Sequence, residues 1–203
     1  LNGDGKDDLV LGGATGNATK LLINSPDGYY ESWEGTFALT MDADSEDMAP
    51  LLFDADGDGD MDLYVVSGGV ECESDSPLLR DRLYLNNGEL KFTSVTQQAL
   101  PDLRDSGSTA VAADYDRDGD LDVFVGGRII PGDYPSIPNS RLLRNDSEPG
   151  GSVRFTDASQ EDAEGLQNTG LVTSAVWSDT DNDGWIDLVV SHEWGPIKVF
   201  RQP

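Results

Sequence analysis

Aspartates at alternate positions of a tight loop aim their carboxylates at one point, and this chain repeats that arrangement along its length. Residues 54–63 read DADGDGDMDL, with acids at loop positions 1, 3, 5 and 9 (Asp54, Asp56, Asp58, Asp62) and Gly59 at position 6. A second complete copy supplies Asp114, Asp116, Asp118 and Asp122 with Gly119, and a third supplies Asp179, Asp181, Asp183 and Asp187 with Gly184. The chain opens on a partial copy, with Asn2, Asp4 and Asp8 around Gly5, whose position 1 would precede Leu1. Glycine at position 6 permits the positive φ that such a turn needs. Hard oxygen donors in this number suit Ca²⁺, which takes six to eight of them with flexible geometry, whereas Mg²⁺ keeps its waters. Zinc or copper would draw on histidine and cysteine, and the chain has one of each. The backbone carbonyl at position 7 (Lys6, Asp60, Asp120, Trp185) is expected to complete the shell, which leaves the side chain there free to vary.

The loop opens like an EF-hand and closes differently. An EF-hand needs a glutamate at position 12 followed by a helix. Position 12 here is Leu11, Val65, Val125 or Val190, inside β-branched runs such as LYVVSGG and VFVGG. Closure is therefore expected from the position-9 aspartate, at the start of a strand. The Gly-rich nonapeptide calcium repeat is excluded by its much shorter period. A two-carboxylate glycosidase reading yields to the regular spacing, which assigns these aspartates to metal first.

Each complete loop is preceded by a short apolar run (APLLF, STAVAA, VTSAVW) and followed by a β-branched one. A further strand-like segment comes next (TKLLIN, DRLYLNN, SRLLRN, IKVFRQ), and the middle units add LKFTSVT and VRFTDAS. That is four short strands per unit with Gly/Asn/Asp turns between them, and no helical periodicity competes. Asp54, Asp114 and Asp179 open the complete loops, so the unit recurs at 60 and 65 residues. Four-stranded antiparallel units at such a period predict an all-β chain built as a β-propeller. The expected units span residues 1–40 (partial), 41–100, 101–165 and 166–203 (partial), the first lacking its first strand and the last its fourth. About four blades make an arc of a larger propeller, whose open ends call for further repeats of the same protein or for neighbouring copies.

The chain holds 13 Lys+Arg against 39 Asp+Glu, a formal net charge of −26 over 203 residues. Such acidity argues against nucleic acid and anionic membrane surfaces, both of which need basic side chains to meet phosphate. No run of about eighteen apolar residues spans a bilayer. The single cysteine, Cys72, rules out an internal disulfide framework.

With these residues in view, the chain resembles the FG-GAP/VCBS repeat proteins, whose propeller is shared with integrin α-subunits, and most of all the bacterial members associated with ASPIC/UnbV regions. The resemblance rests on the D-x-D-x-D-G-x-x-D loops, on RLYLNNGELKFTSVT with its counterpart RLLRNDSEPGGSVRFTDAS, and on SAVWSDTDNDGWIDLVVSHEW. It implies roughly three to four Ca²⁺ ions, one in each loop between the first and second strands of a blade. It also implies a secreted or cell-surface setting and a part in adhesion, recognition or scaffold assembly. VSGG and VGG stand where an FG-GAP phrase would be.

No catalytic group is assigned. His192, beside Glu193 and Trp194, lacks an identifiable nucleophile, and the expectation is a non-enzymatic module. Partners are expected to be a protein or glycan at the cell surface. They should meet the long connections opposite the metal loops: residues 70–80, Arg128 to Ser140, and 192–196. The alternatives are a carbohydrate-binding or non-catalytic part of a larger propeller enzyme such as a polysaccharide lyase, and a building block of a surface layer or filament. A carbohydrate would need an exposed aromatic platform, for which Tyr134 and Trp194 are the candidates. Asn17 and Asn145 each open an N-x-S/T glycosylation pattern.

Overall fold

The computed structural model describes residues 1–33, 37–148 and 151–201. Its strands form four antiparallel sheets in chain order. The first contains β1 (Leu9–Leu11), β2 (Lys20–Asn24) and β3 (Tyr30–Trp33), and the second β4 (Glu46–Phe53), β5 (Asp62–Gly68), β6 (Arg82–Leu85) and β7 (Thr93–Ser94). The third is β8 (Ser106–Ala113), β9 (Asp122–Ile129), β10 (Arg141–Asn145) and β11 (Phe155–Asp157). The fourth is β12 (Val172–Ser178), β13 (Asp187–His192) and β14 (Lys198–Phe200). These are four consecutive blades of a β-propeller arc. The first sheet starts at the second strand of the repeat and the last ends at the third. Two short helices among the described residues, α1 (Phe37–Met41) and α2 (Thr96–Ala99), lie between successive blades, and a 3-10 turn at Pro77–Leu79 lies between β5 and β6.

The alternation of each strand divides its side chains between two neighbours. In β5, Leu63 and Val65 enter a core shared with Leu21 of the first blade and with Tyr84 and Phe92, while Tyr64 and Val66 enter a second core with Val123, Val125 and Leu143 of the third. In β9, Phe124 points the other way, into a third core with Leu142, Val172, Leu188 and Val190. Three cores between four sheets is what blades stacked face to face require. Burying each of these large apolar side chains is worth about 1.5–3 kcal/mol. The strands β4, β8 and β12 run side by side along the inner edge. Gly126 explains how closely blades approach there, because a Cβ on it would lie 2.5 Å from Cγ1 of Val172.

The first strands are longer than the apolar runs that announce them. β4 begins at Glu46 and β8 at Ser106, each with a register shift (between Asp47 and Ala49, and between Ser106 and Thr109) that interrupts the polar/apolar alternation. β3 is exposed along its whole length, so it carries no apolar signal.

Candidate metal loops

In the second, third and fourth blades the hairpin between the first and second strands is the acidic loop, and in the first blade the loop leads into β1. Two backbone positions repeat in all four copies. Position 6 is left-handed at Gly5, Gly59, Gly119 and Gly184 (φ 76°, 92°, 102° and 88°). Position 4 is left-handed as well, at Gly3, Gly57, Arg117 and Asn182 (φ 72°, 75°, 64° and 63°). Two such residues either side of position 5 wind the chain tightly enough for alternate carboxylates to meet. The amide of position 7 donates to the position-5 carboxylate in each loop: Lys6 to Asp4 (2.9 Å), Asp60 to Asp58 (2.8 Å), Asp120 to Asp118 (3.0 Å) and Trp185 to Asp183 (2.8 Å).

Three carboxylate groups thereby converge. Asp54, Asp56 and Asp58 bring oxygens within 4.8 Å of one another, as do Asp114, Asp116 and Asp122, and Asp179, Asp181 and Asp183. Acidic groups so close repel. Burial, then the charges of Asp58 and Asp54, raise the Asp56 carboxyl above its ordinary range, and burial raises Asp116 and Asp120 likewise. In the second and fourth loops the position-1 aspartate relieves part of this by accepting backbone amides. Asp54 takes those of Gly57, Asp58 and Gly59 (2.8, 3.2 and 3.0 Å), and Asp179 those of Asp183 and Gly184 (3.2 and 3.0 Å). Asp114 differs, because its Oδ1 is buried and accepts no hydrogen bond. An orphaned carboxylate oxygen beside two further carboxylates fits a cation. The all-oxygen donor set fits Ca²⁺ in particular. In the first loop Asn2 stands at position 3, and its side chain bonds Asp4.

The position-9 aspartate does a second job that its spacing did not reveal. Asp62 accepts from the amide of Ala55 (2.8 Å) through one oxygen and from Asn86 (2.8 Å) through the other. Asp122 repeats this with Tyr115 (3.1 Å) and Asn145 (2.8 Å), and Asp8 with the nitrogens of Leu1 and Asn24 (both 2.9 Å). Asp187 accepts from the Thr180 amide (3.1 Å) and hydroxyl. Asp8, Asp62 and Asp122 thus tie position 2 of their loops to the third strand of the repeat in the same blade. Burial pushes Asp62 up to about 6 and Asp122 up to about 7, against the pull of those amide bonds, with the neighbouring position-3 and position-5 carboxylates adding to the rise.

Asparagines at the end of the third strand carry the link to the neighbouring blade. Asn86 Nδ2 donates to the carbonyls of Met61 (3.2 Å) and of Leu1 (3.1 Å) in the preceding blade's loop. Asn145 Nδ2 does the same with Leu121 (3.3 Å) and Ala55 (3.1 Å). The signal was present, since LIN, YLN and LRN close the third-strand segment of the first three units; Gln202, at the corresponding place in the last unit, lies outside the described residues. Asn145 is 2% exposed, which removes it as a glycosylation acceptor. Three of the position-7 side chains leave the loop: Lys6 Nζ reaches the Ser25 carbonyl (2.9 Å), the Asp60 carboxylate lies against Gly88, and Trp185 stacks under the Arg117 guanidinium 3.6 Å away.

Comparison with known proteins agrees with this geometry. The model of the FG-GAP-like repeat matches residues 1–65 and 71–125. The chain belongs to the FG-GAP-like repeat family. Cartilage acidic protein 1 of Mus musculus is 31% identical over 126 residues, and that of Homo sapiens 29% over 126, in each case 59% of this chain. The aligned part spans 18% of the length of these relatives, which are mammalian rather than bacterial. The FG-GAP-like blades of this chain contain no helix long and apolar enough to cross a membrane, among the described residues.

Proposed function

We propose that the protein is an extracellular, calcium-stabilised repeat module that serves recognition, adhesion or scaffold assembly and has no catalytic role of its own. The observation that carries this reading is the recurrence of one carboxylate loop on the same edge of successive blades, with the Asp114 oxygen left unpartnered where a cation would sit. Asp54, Asp56 and Asp58, Asp114, Asp116 and Asp122, and Asp179, Asp181 and Asp183 would hold the ions. The position-7 carbonyls and remaining position-5 and position-9 carboxylates would fill the shells. The cation's role is to neutralise carboxylates that otherwise repel, so that binding and folding are linked.

Membership in the FG-GAP-like repeat family and likeness to a protein named for cartilage support the extracellular setting. His192 supports the non-enzymatic reading, because both ring nitrogens are engaged, Nε2 with Thr169 Oγ1 (3.0 Å) and Nδ1 with the Pro196 carbonyl (2.9 Å). Calorimetric titration of the metal-free protein tests the proposal. Roughly three to four Ca²⁺ should bind per chain, with affinities on the order of 10⁻⁴ to 10⁻³ M or tighter, and Mg²⁺ should bind more weakly. Absence of calcium heat, or equal binding of Mg²⁺, would contradict it.

A further inference from the structure

On the face opposite the metal loops, the third and fourth blades enclose an open cleft of about 420 Å³. Tyr134 comes from the β9–β10 connection and Trp194 from the β13–β14 connection, and both rings stand in solvent, 50% and 73% exposed. They are held in place. Trp194 Nε1 donates to the Tyr134 hydroxyl (2.7 Å), that hydroxyl donates to Glu193 (3.2 Å), and Glu193 pairs with Arg128 (2.5 Å). Ile137 and Leu171 extend the apolar wall.

The polar groups of the cleft are few and ordered. The Pro196 carbonyl can only accept, so His192 carries its proton on Nδ1 and Nε2 accepts from the Thr169 hydroxyl. Lys198 Nζ donates to the Thr169 carbonyl (2.7 Å), which leaves two of its three N–H donors for another acceptor. An apolar surface with a small number of fixed polar groups is the ordinary composition of a small-ligand site.

The geometry points to a binding site for a neutral saccharide, stacked on Trp194 and Tyr134 with a hydroxyl accepting from Lys198. Two arguments select that class. The rings form an open platform, whereas a protein side-chain anchor is held in an enclosed, fully desolvated pocket. A flat sugar face covers exposed ring area while its hydroxyls keep their water or meet Lys198. The net charge of −26 opposes polyanionic glycans.

Intrinsic tryptophan fluorescence in saturating Ca²⁺ tests this site. N,N′-diacetylchitobiose, maltotriose, lactose and mannobiose are titrated singly, beside a heparin tetrasaccharide and a basic peptide with a central leucine. At least one neutral sugar should give a saturable change. Trp194→Ala should abolish binding of that sugar, read by calorimetry, and Tyr134→Phe, which frees the Trp194 ring, should weaken it about threefold to tenfold. Both variants should melt with the parent protein, because the two side chains are exposed. No response to any neutral sugar, a response unchanged in Trp194→Ala, or binding confined to heparin or the peptide would each overturn the assignment. Because calcium is saturating and the melt is recorded, a missing sugar response stands apart from a failure of the calcium reading.

Discussion

Asp114 Oδ1 is buried without a hydrogen bond, a state that costs a carboxylate heavily unless a cation shares the site. Asp114→Asn therefore has opposite expected effects in the two states. Without calcium the variant should be as stable as the parent or more so, since an unpartnered charge is gone. With calcium it should lose affinity at one site about tenfold or more, the worth of a charge-assisted contact. Paired melts in chelator and in calcium check the change of sign. Asp81 offers a second test away from the loops. It accepts from the Tyr64 hydroxyl (2.7 Å) and the Ser67 amide (2.8 Å), and burial pushes its carboxyl up to about 7 from 3.8. Between those pH values the unfolded chain releases the proton and the folded one keeps it, so this residue's contribution to stability falls as pH rises and levels off above about 7. Asp81→Asn, whose amide can donate to the Tyr64 oxygen, should gain on the parent across that window when both are melted in calcium. At this scale the clustering of acids was legible in the sequence, since alternate aspartates of each complete loop do converge, three of the four at positions 1, 3, 5 and 9 in each case. The left-handed position 4 was not, because Arg117 and Asn182 hold a conformation that only Gly3 and Gly57 advertise.

The hairpin with its loop is the repeating element, and two side chains make it rigid. The position-9 aspartate closes loop to third strand within a blade, and the following asparagine closes one blade onto the loop of the one before. Asn145→Ala would leave the Ala55 and Leu121 carbonyls without this donor. The expected loss is about 2–3 kcal/mol with calcium bound, from one buried and one half-buried hydrogen bond, read as a lowered urea midpoint. An unchanged midpoint would show that the asparagine latch contributes nothing. Elements with alternating or β-branched runs were readable, β5 and β9 above all. β3 was not, because YESW is exposed on both faces, and the early starts of β4 and β8 were hidden by register shifts that break the pattern. The helices α1 and α2 span 5 and 4 residues, too short for any periodicity to show.

At the scale of the whole molecule, a chain of net charge −26 is held compact by three cores that alternate with four sheets. Self-repulsion of this size opposes the folded state, and it is concentrated at the edge where the loops line up. Cations there would turn the most repulsive edge of each blade into its clasp. The repeat count and the incomplete first and last sheets were legible because loop and strand recur together. The inter-blade bonds were not, since they join residues 85 and 90 positions apart. The most direct measurement is the thermal unfolding of the protein in EDTA, after restoring Ca²⁺, and after adding an equal concentration of Mg²⁺. A calcium clasp on each blade predicts a melting temperature that falls by about 10 °C or more on chelation, returns fully with Ca²⁺ and returns only in small part with Mg²⁺. A melting curve in EDTA that superimposes on the curve in calcium would contradict it.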